Sequence, residues 1–467
     1  MKKILLFALV LLLSISFAAG CQSNKAATTS AATDDLPKDA NGNKIMTMKV
    51  FTNDASAPTR VTNFEGAAEK LNAELEKEKA DYRVKIEPIV KPMSGEEFDK
   101  NFIFASQSNN AADIYTTSYA SVGWMAEGNY ILPLDDVKKE KVFENIMDGY
   151  WQPVTWDGKV FGVIQDTEAR AVYFNKEILR KMGWSEEDIN QLPKKAETGD
   201  FTLKDMTDIA LEAQKKGLVK NGYEFDRGPN DVPMNFYNFG AELYDWKNKK
   251  FILDKEKVLK TFEWIKESKD SGVVPAANMT TDKAEKLARM LNQETLFAQG
   301  GIWDEAKFRN QGWHKELGNV TTDWIKQNVG IMNLPTIKKG KKPITVSNPY
   351  IYVVSKNTKY PDIAKRLLVH ASAPELQAKH AVETSHIPFT KEGQENEQVK
   401  ANEWINSVKY LTNYSHFAGN HPDQTKYSKI LIDATTYVMS GEMTPEKAVS
   451  YIEEQMALNL KANSVIK

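Results

Sequence analysis

The sequence predicts an α/β protein built on mainly parallel sheets, and three observations carry that prediction. Stretches that alternate with period two are interleaved with stretches apolar at helical spacing, the pattern of strand–helix–strand layers. The chain has 467 residues, enough for two or three domains. It is 41% hydrophobic and 27% charged, the balance of an ordinary folded globule.

The elements follow in chain order. Residues 46–52 read as a first strand, and Phe64, Ala67, Ala68, Leu71 and Leu75 step at helical spacing after it. Tyr82, Val84 and Ile86 alternate as a second strand, Phe98, Phe102 and Ala105 mark a helix, and 113–115 is a short third strand. Two apolar runs, 160–164 and 171–174, read as strands. The later half is richer in helix: Leu203, Met206, Ile209, Ala210 and Ala213; then Val258, Phe262 and Ile265; then a segment opening at Thr444-Pro445-Glu446. Proline in a first turn after threonine is a start signal. The run 338–342 (Lys-Lys-Gly-Lys-Lys) is a solvated loop.

The N-terminus carries the most specific signal. Met1-Lys2-Lys3, an apolar run over 4–13 and the small residues Ala18-Ala19-Gly20 describe a secretory signal peptide over 1–20. The single cysteine, Cys21, follows directly, which resembles a bacterial lipobox with Ala18 where leucine is usual. Cleavage there leaves Cys21 as the lipidated N-terminus. Residues 21–44 hold almost nothing large and apolar, so they form a flexible tether reaching roughly 25 Å. With no other cysteine there is neither a disulfide framework nor a thiol nucleophile.

Composition and motifs exclude several classes. Lys plus Arg is 61 against 63 for Asp plus Glu, so no basic surplus calls for nucleic acid. Neither a Walker loop, a G-x-S-x-G elbow nor an H-E-x-x-H occurs. The histidines stand at 314, 370, 380, 386, 416 and 421; the close pair His416 and His421 lacks a cysteine to complete a zinc set. No metal and no cofactor is implied. The ten tryptophans are core material or stacking platforms.

Between the runs 160–164 and 171–174 stand Asp166, Glu168 and Arg170, spaced by two, so that a strand aims all three to one side. The surrounding motifs explain why a buried run is interrupted by charge. Asp113-Ile-Tyr, Gly128-Asn-Tyr-Ile-Leu-Pro-Leu-Asp135, Asp157-Gly-Lys-Val-Phe-Gly162, Val172-Tyr-Phe-Asn-Lys176, Leu296-Phe-Ala-Gln-Gly-Gly-Ile-Trp303, Pro361-Asp-Ile-Ala and Ser440-Gly-Glu-Met-Thr-Pro-Glu-Lys-Ala448 stand in this order along 45–460. The series resembles the family 1 extracellular solute-binding proteins, the carbohydrate-capturing components of bacterial ABC importers. Ala112 stands where the family has proline before Asp113, and Ile164-Gln165 where a proline follows the Gly-Val pair.

The resemblance implies a two-lobed, type II periplasmic-binding-protein-like fold with a ligand cleft between lobes joined by crossover strands. One lobe takes 45–166 plus about 348–385, the other about 168–345 plus 386–467. The charged trio then lies on the cleft floor, with Glu168 where related sugar binders carry a ligand-contacting glutamate. Carboxylate and guanidinium grip adjacent hydroxyls, and Trp303 offers a face to the sugar's C–H side. Further candidates for the cleft are Asn53 and Asp54 after the first strand (Asp54 alternatively capping the next helix), Ser118 and Tyr119 after the third, and Tyr237 as a second aromatic wall. Asn348 and Tyr350 sit on a second crossover and His386 near a third.

The implied protein is a monomer held at the outer face of a cell membrane through Cys21; the long polar tether leans towards a bacterium with one membrane, and one with two stays open. It passes a mono- or oligosaccharide to two permease subunits driven by a cytosolic ATPase. Arg170 and Arg227 leave room for an acidic saccharide. A sugar-binding sensory or adhesive lipoprotein stays open as a second reading, and a surface glycoside hydrolase or lyase as a third.

Overall fold

The computed structural model describes residues 36–147 and 149–467. The signal peptide, Cys21 and most of the tether therefore lie outside the described residues. Among those described, no helix is long and apolar enough to cross a membrane.

Two mixed sheets organise the chain. The first has the spatial order Tyr82–Val90, Lys44–Thr52, Ile114–Ser118, Tyr350–Val354, Val163–Ile164. Its first three strands are parallel and joined through the helices Thr59–Lys77 and Gly95–Gln107. The second has the order Val329–Met332, Arg170–Asn175, Thr295–Gly301, Asn221–Glu224. A smaller sheet pairs Lys250–Leu253 with the C-terminal strand Ser464–Ile466.

The expected parallel arrangement holds only in part. Tyr350–Val354 runs antiparallel to Ile114–Ser118, and Arg170–Asn175 runs antiparallel to both its neighbours. The cause is topological: both strands enter their sheets from the side of the other lobe, opposite to a strand arriving from a crossover helix. Nor is 160–164 one strand. Lys159–Val160 folds back on Thr155–Trp156, and Val163–Ile164 joins the sheet edge. Gly162 sits between them where a Cβ would press into the Ile351 side chain.

The apolar spacing read from the sequence becomes core. Phe64, Leu71, Phe102 and Tyr352 pack in the first lobe; Phe174, Met206, Phe236, Phe262 and Ile452 in the second. A third cluster, with Tyr173, Ile302, Phe308, Ile387 and Trp404, lies under the junction of the lobes. Burying each such side chain contributes about 1.5–3 kcal/mol. Thr444 caps the helix Pro445–Asn459 by accepting the Lys447 amide, as its sequence announces. Lys339 to Lys342 are exposed.

The lobes meet along a band of crossing segments. Thr167 bridges Ile387, the Gln165 amide donates to the Tyr350 carbonyl, and Thr345–Val346 pairs with Ser415–His416. Behind the band, Phe417 packs edge-on against Tyr119 and Tyr150, and Asn420 Nδ2 donates to the carbonyls of Pro153 and Thr155. Within the second sheet, Gly330 stands opposite Phe174, and a Cβ there would collide with the phenyl ring. Gly330→Ala is therefore expected to cost about 1–3 kcal/mol, read as a lower urea midpoint at unchanged slope.

Candidate functional site

The first crossover brings charge into the band, and each lobe answers it. Residues 165–170 are all buried. Asp166 reaches into the first lobe, where its Oδ2 accepts Arg60 Nη1 at 2.6 Å and His380 Nε2 at 2.9 Å; its Oδ1 accepts the Tyr350 amide at 3.2 Å. Arg60 also gives Nε to Asp54 Oδ2 at 2.9 Å, and its guanidinium lies 3.9 Å over the Tyr350 ring. Arg170 reaches the other way, donating Nε to Asp231 at 2.9 Å and Nη1 to Glu168 Oε1 at 2.8 Å. Each arginine is thus held between two carboxylates.

Burial and charge set the protonation states. Burial works against the charge on Arg60, but Asp166 and Asp54 outweigh it and raise its pKa. Arg170 is raised in the same way by Asp231 and Glu168. Burial would lift Asp54, yet Arg60 and the Ser56 hydrogen bond bring it down to about 2. Asp166 is driven down from the usual range: burial opposes this, and the charge of Arg60, helped by the His380 hydrogen bond, overrides it. For His380, burial wins over the Asp166 contact and lowers the pKa to about 4. A neutral imidazole then donates from Nε2 to Asp166 and accepts the Thr59 hydroxyl at Nδ1, 2.8 Å away.

On one side of the band opens a cavity of about 280 Å³. Seven predicted residues line it: Asp54, Glu168, Arg170, Trp303, Asn348, Tyr350 and His386. Glu168 Oε1 also accepts the Asn348 amide at 3.0 Å, while Oε2 has no hydrogen bond among the described residues and lies 3.8 Å from His386 Nε2. The Trp303 ring lies near-parallel to His386, 5.9 Å between centroids, with the Arg170 guanidinium 5.3 Å and Lys283 Nζ 4.7 Å from its centre. Gly301 lets the indole fold back, since a Cβ there would strike the ring.

The other five fall elsewhere. Asp166 lies beneath the cavity, 2% exposed. Ser118 donates to Asn348 Oδ1 at 2.7 Å and acts only through it. Asn53 turns to the Met93 carbonyl. Tyr119 and Tyr237 are buried behind the band, Tyr119 bonded to the Ala418 carbonyl and Tyr237 packed on His416. Asp54 does not cap the helix, whose N-cap is Pro58 without a side-chain bond. Neither arginine proposed for an acidic ligand is free: Arg170 is taken, and Arg227 donates to Asp282 at 2.8 Å, outside the cavity lining.

Sequence reasoning missed Arg60, His380 and Asp231, and the wall formed by Ala306, Lys307, Asn310 and Gln311. A signal existed for two of these groups. Arg60 stands in a helical first turn, where a cation opposes the helix dipole and needs an anion. Ala306, Lys307 and Asn310 share the helical face of Trp303. His380 and Asp231 offered none.

Asp166, His380 and His386 bring their ligand atoms within 4.8 Å of one another, a spacing suited to a metal ion. Arg60 already holds the same Asp166 oxygen, so a cation would face a guanidinium; the trio fits hydrogen bonding instead. A second, more apolar cavity near Trp404 shares no lining residue with the cleft.

Comparison with known proteins agrees with this architecture. The family model described as bacterial extracellular solute-binding protein matches residues 70–406. The chain belongs to that family. It is 22% identical over 364 residues to the maltodextrin-binding protein MdxE of Bacillus subtilis (strain 168), covering 75% of this chain and 78% of that one. It is 21% identical over 322 residues to the galactooligosaccharide-binding protein of the same organism, covering 66% and 67%. Among solved structures, the GacH receptor of Streptomyces glaucescens superimposes with a TM-score of 0.70 at 19% identity, over 89% of this chain and 98% of that one. These relatives are binding proteins, not enzymes.

The charge network generates a pH prediction. Between pH 6.5 and 4 the unfolded chain binds a proton at His380 that the native chain refuses, so stability falls as pH falls through this window. The slope from this group reaches at most about 1.4 kcal/mol per pH unit. Urea titrations at pH 7, 6 and 5 are expected to show that slope, and His380→Gln, which keeps a donor toward Asp166, to lose its share.

Proposed function

We propose that the protein captures a neutral saccharide in the cleft lined by Trp303, Tyr350, Asp54, Glu168, Asn348 and His386, and hands it to an ABC permease. The observation that carries this reading is the pairing of a folded-back indole with a buried carboxylate that keeps one oxygen free. The indole offers an apolar face for a ring's C–H side, and Glu168 Oε2 a strong acceptor for a hydroxyl beside it. The named partners of the two Bacillus relatives, maltodextrin and galactooligosaccharide, support an oligosaccharide of this neutral kind. Arg170 and Arg227, both occupied, give no support to an acidic one.

Binding at such a band favours hinge closure of the lobes, the closed form being the one a permease accepts. The division proposed is 45–166 with 348–385 and 168–345 with 386–467, and in it 389–392 and 415–421 of the second part lean on the first lobe. In this reading Cys21 carries the lipid that holds a monomer outside the membrane of a one-membraned bacterium, two permease subunits and an ATPase complete the importer, and the chain performs no chemistry on its ligand.

Calorimetry on residues 36–467 with maltose to maltoheptaose, a galactooligosaccharide and a uronate series tests this. A neutral series is expected to bind. Trp303→Ala should weaken it about 10- to 100-fold and Glu168→Gln about tenfold, with folding retained. Absence of binding by every saccharide in a folded sample overturns the reading.

A further inference from the structure

Away from the cleft, one cavity combines an apolar body with a cation that makes no ion pair among the described residues. It measures about 200 Å³ and lies in the second lobe at the outer edge of the strand Val329–Met332. Phe174, Ile189, Pro193, Ile331 and Trp404 wall it, and Lys176 stands on its lining. Lys326, also on the lining, is neutralised by Glu403 at 2.7 Å. Lys176 is not: its Nζ donates to the Lys326 carbonyl at 2.9 Å and to Asn190 Oδ1 at 3.3 Å, and among the described residues it has no ion pair. Burial, reinforced by the charges of Arg180 and Lys326 and only partly opposed by Glu186, lowers its pKa, so an anion in contact with it would offset that cost.

The chemistry of the walls narrows the occupant. The Trp404 indole N–H is spent on the Ile302 carbonyl at 3.1 Å and the Ser407 hydroxyl on the Trp404 carbonyl at 2.7 Å. Lys326 and Glu403 on the lining are paired with each other, so the apolar walls with Lys176 favour an occupant that has one polar end. An apolar cavity of about 150 Å³ accepts benzene, so this one holds a single ring or a short alkyl chain. We propose that the cavity binds a small amphiphilic carboxylate, its ring or chain against Phe174, Ile331 and Trp404 and its carboxylate on Lys176.

The site is separate from the cleft but mechanically joined to it. Trp404 lies parallel to Tyr173, 6.3 Å between centroids, and the Tyr173 hydroxyl donates to the Gly301 carbonyl at 2.7 Å. Trp404 and Tyr173 thus hold the two carbonyls that immediately precede Trp303.

The test is ligand-observed NMR and thermal shift on residues 36–467 with phenylacetate and hexanoate, each beside its neutral amide. The carboxylates are expected to bind at least fivefold more tightly than the amides. In Lys176→Gln the two should bind alike, while Ser407→Trp, which sets an indole on the lining, should abolish both. Melting temperature checks the folding of each variant, and two variants acting at different points guard against the failure of one. Equal binding of acid and amide to the unmodified chain, no binding of either, or a carboxylate preference that survives Lys176→Gln overturns the proposal.

Discussion

Two buried arginines, each clamped between two carboxylates, are the constraint on which the lobe junction depends. Arg60 joins Asp54 to Asp166, and Arg170 joins Glu168 to Asp231, with Asp166 and Arg60 both 2% exposed. Taking such charges from water is costly, and their mutual attraction does little more than offset that cost. Their value lies in geometry. Three of the six groups sit on a crossover five residues long; besides the Glu168–Arg170 pair within it, Asp166 must meet Arg60, Arg170 must meet Asp231 and Glu168 must meet the Asn348 amide. The crossover therefore has one register only, and the segments 345–350 and 386–387 are aligned on it through Asn348, Tyr350 and Thr167.

The cleft inherits its properties from this arrangement. Glu168 is oriented by Arg170 and the Asn348 amide before any ligand arrives, and Tyr350 is pinned beneath Arg60. Trp303 is turned back over Gly301 between His386 and two cations. Little reorganisation is left for binding, the condition under which hydrogen bonds to hydroxyls give net affinity. Behind the band, Phe417 and Asn420 tie 415–421 to the first lobe, so any hinge motion has to repack aromatic contacts on that side.

The main lines of the fold could be read from the chain because they rest on local pattern. Period-two and helical spacing placed a strand at 46–52, within the observed Lys44–Thr52, and the helices around Leu71, Phe102 and Met206, and Thr444-Pro445 placed a helix start. Strand direction could not be read so: Tyr350–Val354 and Arg170–Asn175 run antiparallel because of the lobe from which they arrive, a property of topology and not of spacing. The site divides in the same way. Residues attached to a recognisable motif (Glu168, Trp303) or to an expected crossover (Asn348, Tyr350) meet in one cavity. Tyr119 and Tyr237 have the right chemistry and adjoin the same crossings, but they fall on the far side of the band, and sequence does not say which face a crossing presents. The hydrogen bonds that join His380 to Asp166 and Asp231 to Arg170 span 214 and 61 positions, which no local pattern encodes.

Hydrogen–deuterium exchange of residues 36–467, with and without a saturating maltooligosaccharide, tests most directly whether the crossing band is where ligand is held. The account predicts added protection concentrated in 165–170, 300–310, 347–350 and 384–388, which surround the paired arginines and Trp303. Protection confined to other surfaces, with these four segments unchanged by a saccharide that binds, would contradict it.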